Sequence, residues 1–221
     1  MSRTPAHCFV TVRHCGYSPL VPVSALLRSS ADWSRATAQP FLDAVREDTL
    51  APGAFDTWLV QDHHFVGDLL WFQARLLARA PRPARAVLAD GAVALVHELE
   101  WFETVAAHQD LRLGGQREQA TTAYADLLVR LDDAPADQAI LALWAIERAY
   151  LDAWSFAAPG APPYRSFVEH WTTPDFVAYV GDLHDVADDS LGSDPRQPER
   201  VISEVAVAEA RFWDMALAGD A

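Results

Sequence analysis

The sequence predicts an all-α protein that folds as a single compact helical bundle. Long stretches rich in Ala, Leu, Val, Glu and Arg alternate with short segments in which the prolines cluster. Within the long stretches, apolar residues recur at the spacing of an amphipathic helix, and no alternating Val/Ile/Thr-rich segment typical of a β-strand stands out. A chain of 221 residues, 51% of them hydrophobic, is long enough to bury one substantial core.

Residues 1–30 are predicted to form an N-terminal extension, and residues 31–221 to form the helical domain. Three prolines and a glycine interrupt any long helix in the extension: Pro5, Gly16, Pro19 and Pro22. The extension also contains two His-Cys pairs that offer four potential metal ligands: His7, Cys8, His14 and Cys15. Zinc sites usually include a second, distant ligand pair, so we expect no metal there.

The helices of the domain are predicted from the spacing of their apolar residues and from the prolines and glycines that end them. The first begins at Ala31 and is kinked or divided by Pro40. The stretch QAILALWAIERAYLDAWSFA, from residue 138, is apolar almost all round and is predicted to be the central, most buried helix. Thr121 and Thr122 are predicted to cap the helix before it. The other predicted helices span about 54–80, 83–108, 164–171, 175–187 and 198–217, which makes seven or eight in all.

The charge and hydropathy of the chain exclude two classes of partner. The formal net charge is −14 and no stripe of basic residues occurs, so we expect no nucleic-acid binding. The opening residues lack the continuous apolar core of a signal peptide, and no later run reaches membrane-spanning length. We therefore expect a cytoplasmic protein without a membrane partner.

Acidic side chains interrupt several apolar helix faces. Asp62 follows Gln61 in the middle of a helix rich in aromatic residues, Glu209 precedes the pair Phe212-Trp213, and Glu147 lies within the most apolar helix. A buried carboxylate is costly unless it is paired or hydrogen-bonded. These acids therefore form buried polar pairs or line a cavity, unless they are ordinary solvated surface residues.

Three segments resemble the TenA (thiaminase II) family. They are WSRATAQPFLDAVREDTLAPGAFDTWLVQDHHFV, TTAYADLLVRL and AEARFWDMAL, which occur in the family's order and at comparable spacing across residues 31–217. The resemblance implies a heme-oxygenase-like helical bundle. It also implies a pocket for the aminopyrimidine moiety of thiamin or of its breakdown products.

The resemblance implies roles for individual residues. Asp62 would hydrogen-bond the pyrimidine ring nitrogen and amino group, and Glu209 would be the acid/base that delivers protons to the leaving group. An ionised carboxylate complements the amidine-like edge of an aminopyrimidine, and a glutamate in an apolar enclosure has its pKa raised toward neutrality. The remaining predicted substrate-binding residues are aromatic: Phe65, Tyr124, Trp144, Tyr150 and Trp171.

The sequence departs from the cysteine-containing members of the family. Those members carry a nucleophilic Cys in a Pro-Cys dipeptide four residues before a Tyr, and counting back from Tyr150 places Ala145 and Ile146 there. The chain resembles the branch that relies on carboxylates, with Glu147 as the second catalytic candidate beside Glu209. We expect a hydrolase that acts on aminopyrimidine or thiamin-derived compounds and needs no cofactor.

Two other functions stay open. A binding protein could keep the pocket and lose catalysis together with the cysteine. A heme-oxygenase-like di-iron oxidase would need ligands for which the chain offers candidates: His97, Glu98, Glu100, Glu103, His108, His170, Asp182 and His184. The His-x-x-x-Asp-x-x-His spacing of those oxidases is missing, so we predict no metal site. The resemblance also suggests a homo-oligomer, either a dimer or a tetramer.

Overall fold

The computed structural model describes residues 22–29, 32–191 and 196–218, and every regular element among them is helical. The helices are α1 (Val23–Ser29), α2 (Trp33–Thr37), α3 (Pro40–Glu47), α4 (Ala54–Arg79), α5 (Arg85–His108), α6 (Gln119–Asp132), α7 (Ala136–Ala157), α8 (Arg165–His170), α9 (Pro174–Ser190) and α10 (Arg196–Ala218). A short 3₁₀ turn, Arg82–Ala84, precedes α5. The predicted all-α fold is confirmed.

The helix boundaries follow the predicted breakers. Pro40 divides the first predicted helix and is the first residue of α3, a position where its missing N–H costs no intrahelical hydrogen bond. Asp48 ends α3 with a φ of 58°, and Gly53 precedes α4 with a φ of 82°. Two left-handed residues within this short connection allow the chain to reverse direction between α3 and α4.

The helix α7 lies at the centre of the bundle. It packs against α9 and α10 along much of its length and also contacts α2, α3, α4 and α6. Its side chains are buried almost all round, as the sequence predicts. Four tryptophans from different elements are fully buried or nearly so: Trp58, Trp154, Trp171 and Trp213.

The helix α1 lies within the predicted N-terminal extension. Its Val23, Leu26 and Leu27 are buried in the common hydrophobic core, and the Val23 backbone N–H donates to Asp188 Oδ1 of α9 at 2.8 Å. Part of the segment that precedes residue 31 therefore packs on the bundle. The two His-Cys pairs predicted not to bind a metal lie outside the described residues.

The predicted cap of α6 is wrong. The helix begins at Gln119 and its N-cap residue is Glu118, so Thr121 lies inside the first turn, where it is buried. The hydroxyl of Thr121 donates to a side chain of α4 instead of accepting from its own helix. Among the described helices, none combines the length and the apolar character that crossing a membrane requires.

Candidate functional site

Four carboxyl groups from four different helices point into the interior of the bundle. They are Asp62 of α4, Glu98 of α5, Glu147 of α7 and Glu209 of α10. Asp62, Glu147 and Glu209 are only 0%, 6% and 2% exposed, while Glu98 keeps partial exposure. Because these helices meet around α7, acids that are far apart in sequence become neighbours.

Asp62 is anchored through one oxygen only. The hydroxyl of Tyr150, on α7, donates to Asp62 Oδ2, whereas Asp62 Oδ1 is buried and has no hydrogen-bond partner among the described residues. Burial raises the pKa of Asp62 well above its ordinary value, although the Tyr150 hydrogen bond lowers it. The nearby charges of Glu98 and Glu209 raise the pKa further. A buried oxygen without a partner is rare, and it marks a place where a ligand donor would be stabilised.

Glu209 is held by a tyrosine from α6. The hydroxyl of Tyr124 donates to Glu209 Oε1 at 2.5 Å. Burial raises the pKa of Glu209 to about 7, while the Tyr124 hydrogen bond lowers it. The Tyr124 ring also contacts the Phe65 ring of α4, with centroids 4.7 Å apart, so packing as well as hydrogen bonding fixes this pair.

The other two carboxyl groups lie together on the wall of a cavity. The indole Nε1–H of Trp171 donates to Glu98 Oε1 at 2.7 Å, and burial of the carboxyl raises the pKa of Glu98 to about 7. Burial, followed by the charges of Glu98 and Glu209, raises the pKa of Glu147 to about 8. Near pH 7 the group therefore holds several protons, which suits general acid/base chemistry.

These acids have no cationic partner among the described residues. Within the described part of the chain, none of the four carboxyl groups forms an ion pair or a hydrogen bond with an arginine or a histidine. Burial, and for Asp62 and Glu147 also repulsion by the neighbouring acids, keeps part of the group protonated. A cationic or amidine-like ligand would be attracted to the group.

The cavity beside the acids is narrow. Its volume is about 20 Å³, which is room for roughly one water molecule. Its walls come from α4, α5, α7, the connector after α8 and the first turn of α9: Phe65, Val66, Leu69, Leu95, Glu98, Ile146, Glu147, Tyr150, Trp171 and Phe176. A heterocycle would therefore need the walls to move apart.

The structure brings most of the predicted site residues together. Phe65, Glu147, Tyr150 and Trp171 line the cavity. Asp62 lies behind Tyr150, to which it is hydrogen-bonded. Two further predicted residues, Tyr124 and Glu209, form a buried pair whose tyrosine ring packs against Phe65.

Trp144 does not line the cavity. Each residue advances a helix by 100°, so Trp144 points about 160° away from Ile146, which does line it. The indole of Trp144 instead contacts the His184 ring of α9, with centroids 5.6 Å apart. The sequence prediction that Trp144 enters the pocket is therefore corrected: helical phase turns this side chain toward α9.

The six wall residues that were not predicted as site residues include Glu98, which was named only as a candidate di-iron ligand, and Phe176. The signal for Glu98 was present, because it lies three residues after Leu95 and four before Phe102, two buried residues of the inward face of α5. Asp62 was singled out by a similar spacing, because it lies four residues after Trp58 and three before Phe65. No comparable signal marks Phe176, which lies in the first turn of α9.

The candidate di-iron ligands of α5 mostly face solvent. His97, Glu100, Glu103 and His108 are exposed. Among the residues that the structure describes, no group of three or more His, Cys, Asp or Glu side chains is arranged to hold a metal ion.

Comparison with known proteins gives consistent matches over most of the chain. The TENA/THI-4/PQQC family model matches residues 30–219. A Glycine max protein named "Probable bifunctional TENA-E protein" is 29% identical over 199 residues, which cover 83% of this chain and 87% of that protein.

Solved structures agree with that match. A TenA homologue from Pyrococcus furiosus has a TM-score of 0.82 and 28% identity, and the match covers 88% of this chain and 99% of that one. A TenA homologue from P. horikoshii OT3 has a TM-score of 0.82 and 22% identity, covering 90% of this chain and 100% of that one, which shows a shared fold. Since the family model spans nearly all of the helical domain, the chain belongs to the TENA/THI-4/PQQC family.

Proposed function

We propose that the protein is a hydrolase of thiamin salvage or degradation that acts on an aminopyrimidine and uses carboxyl groups without a cysteine nucleophile. The observation that carries the proposal is the arrangement of Asp62, whose Oδ2 accepts from Tyr150 while its buried Oδ1 has no partner among the described residues. An aminopyrimidine presents a ring nitrogen and an amino group on one edge. A carboxylate can accept from the amino group and share a proton with the ring nitrogen.

The surroundings of Asp62 suit a flat, basic heterocycle. Phe65, Tyr150 and Trp171 supply aromatic walls that stack on a ring and exclude water. The uncompensated acids favour a ligand that brings positive charge or several N–H donors. Membership of the family and the resemblance of the QD and ExxFW segments to TenA proteins support the same class of ligand.

The proposed chemical step is hydrolytic displacement of an amine. Glu209 acts in this step as the base, and Glu147 takes the proton delivery that the resemblance implies for Glu209. In its ionised form Glu209 removes a proton from a water molecule, whose oxygen forms a bond to the carbon that bears the amine. Glu147, with a pKa of about 8, carries a proton at neutral pH and gives it to the amine as the carbon–nitrogen bond breaks. The products are an alcohol and ammonia, and the two glutamates exchange protonation states.

The wall residue Ile146 favours this non-covalent path over acyl- or alkyl-enzyme chemistry. It lines the cavity at the position where the resemblance implies the nucleophile of cysteine-containing members, and its side chain offers no nucleophile. With water as the attacking group, the two carboxyl groups must titrate differently. Burial raises both pKa values, but the Tyr124 hydrogen bond lowers that of Glu209, whereas the charges of Glu98 and Glu209 raise that of Glu147 further.

A second candidate function is binding without turnover. The apolar Ile146 in the cavity wall favours it, because the resemblance implies a nucleophile at that position in cysteine-containing members. The cytoplasmic location and the homo-oligomeric state suggested by the sequence and the resemblance remain predictions.

Calorimetric titration with 4-amino-5-aminomethyl-2-methylpyrimidine and with thiamin tests the proposal. We expect binding by the wild type that Asp62→Asn weakens at least about tenfold, since a charge-assisted hydrogen bond of about 1.5–3 kcal/mol is lost. The control is Asp68→Asn, six residues along the same helix, where the aspartate pairs with Arg117 at the surface. It should bind normally.

Product analysis of the same samples separates the two functions. Ammonia released from the aminomethylpyrimidine, or thiazole released from thiamin, supports the hydrolase, whereas retained ligand without product supports the binding protein. If neither compound binds the wild type, the aminopyrimidine assignment is wrong.

A further inference from the structure

Gln61 joins α4 to the start of α6 through all of its polar atoms. Its Oε1 accepts from the Glu118 backbone N–H at 2.9 Å and from the Thr121 hydroxyl at 2.7 Å. Its Nε2 donates to the Gln116 carbonyl oxygen at 2.9 Å. The side chain is 4% exposed, so these bonds are sheltered from water.

The hydrogen bonds of Gln61 replace part of the N-terminal capping that α6 does not provide itself. No side chain of α6 caps its own N-terminus, and the usual glutamate or glutamine three residues after the N-cap is replaced by Thr121. Gln61 supplies from another helix the acceptor that such a residue would give to the N-cap N–H. The first turn of α6 is therefore positioned by α4 and not by its own sequence.

This positioning extends to the acid site. Gln61 immediately precedes Asp62, so one helix segment holds both the aspartate and the support of α6. Tyr124 lies three residues after Thr121, on the same side of α6, and donates to Glu209 at 2.5 Å. A short hydrogen bond is sensitive to displacement of either partner. This one joins α6 to α10, and α4 packs on both helices, so movement of α6 away from α4 and α10 would lengthen it.

Other contacts keep the preceding loop in place when Gln61 is lost. His64 hydrogen-bonds the Gly115 carbonyl oxygen, and Asp68 pairs with Arg117. Both contacts lie at the surface and neither reaches into α6. Removing Gln61 should therefore loosen the first turn of α6 without releasing the chain before it.

We propose that Gln61 is a positioning residue that holds Tyr124 against Glu209 and so sets the protonation of Glu209. The catalytic importance of this arrangement rests on the proposed function, but the arrangement itself does not. The titratable groups that face Glu209 are Tyr124 from α6, Asp62 from α4 and Glu147 from α7. The Tyr124 hydrogen bond lowers the pKa of Glu209, so weakening it raises that pKa.

The test is a carbon-13 NMR titration of the glutamate side-chain carboxyl groups, with Glu209 assigned from the resonance that Glu209→Gln removes. Gln61→Leu should raise the pKa of Glu209 by roughly half a unit or more, toward the value in Tyr124→Phe, which deletes the hydrogen bond outright. Thr121→Val should shift it in the same direction by less. This second variant tests the same contact from α6 if Gln61→Leu does not fold.

Gln73→Leu is the matched control. Gln73 is also a fully buried glutamine of α4, and its amide donates to the Leu88 carbonyl oxygen and to the Tyr179 hydroxyl. It contacts no residue of α6 through these bonds. The control should lower the melting temperature about as much as Gln61→Leu and leave the pKa of Glu209 unchanged.

Two results would overturn the proposal. One is an unchanged pKa of Glu209 in both Gln61→Leu and Thr121→Val, and the other is an equal shift in Gln73→Leu. Since the titration needs no substrate, it gives its answer even if the protein does not hydrolyse aminopyrimidines. Where turnover is found, the pH at which kcat is half-maximal should rise in Gln61→Leu in parallel with the NMR value.

Discussion

Replacing Glu147 with glutamine should stabilise the protein at alkaline pH and leave its stability nearly unchanged at acidic pH. Glu147 is 6% exposed and lies on the central helix α7. Burial and the charges of Glu98 and Glu209 raise its pKa from 4.5 to about 8. Glutamine has the shape of the protonated acid and cannot ionise.

The magnitude and sign follow from linkage. Below pH 4.5 the glutamate is protonated in both the folded and the unfolded state. Between pH 4.5 and about 8 the unfolded chain has released the proton and the folded protein still holds it, so the free energy of unfolding falls by about 1.4 kcal/mol per pH unit. The wild type should lose up to about 5 kcal/mol over this window, less where Glu98 and Glu209 titrate together with Glu147.

Urea denaturation at pH 5 and at pH 8.5 measures the difference. We expect Glu147→Gln to match the wild type within about 1 kcal/mol at pH 5 and to exceed it by several kcal/mol at pH 8.5. Glu100→Gln, an exposed glutamate on α5, removes the same charge from a chain of net charge −14 and controls for general repulsion. Equal pH dependence in the two variants would refute the reasoning.

Two further predictions concern packing and access. A Cβ at Gly91 would overlap the hydroxyl of Tyr179 and the amide of Gln73, so Gly91→Ala should lower the free energy of unfolding by about 1–3 kcal/mol. A Cβ at Gly67, also within a helix, meets nothing within 4 Å. Gly67→Ala should therefore leave the free energy of unfolding unchanged or raise it by up to about 1 kcal/mol. Phe176 is a partly exposed wall residue of the narrow cavity, so Phe176→Ala should speed association of the aminopyrimidine in stopped-flow fluorescence, and an unchanged association rate would place the entrance elsewhere.

The fold was predictable because its signals are local. Pro40, Pro52-Gly53 and Pro81 mark helix boundaries whatever the rest of the chain does, and the all-round apolar pattern of α7 requires a central position. The short helix α1 was not predicted, because its apolar residues Val23, Leu26 and Leu27 follow helical spacing over only seven residues, directly after Pro22. Its burial depends on contacts with α9 and α10, which the sequence does not display.

The residues of the candidate site were predictable where an acid interrupts an aromatic helix face. They were less predictable where the rotation of a helix about its axis decides which side chains face the cavity. Asp62, Glu147 and Glu209 were singled out in this way, and each is buried. Trp144 lies in the same segment as Glu147, but its direction depends on which face of α7 meets α9. Thr121 resembles a cap in sequence and becomes a donor to Gln61 only because α4 brings an acceptor beside it.

The buried acids lower the stability of the fold when they ionise, and this cost is itself an argument that they serve a function. Replacing buried ionisable groups with apolar residues of similar size is often neutral or stabilising, and the raised pKa values of Glu98, Glu147 and Glu209 show that the fold opposes their ionisation. A core selected only for packing would not gather four carboxyl groups, two of them on a cavity wall, without an ion pair to any of them among the described residues. Ile146 shows that an apolar side chain fits the same wall. The acids are therefore better explained by a ligand that they must bind and protonate than by the needs of the bundle.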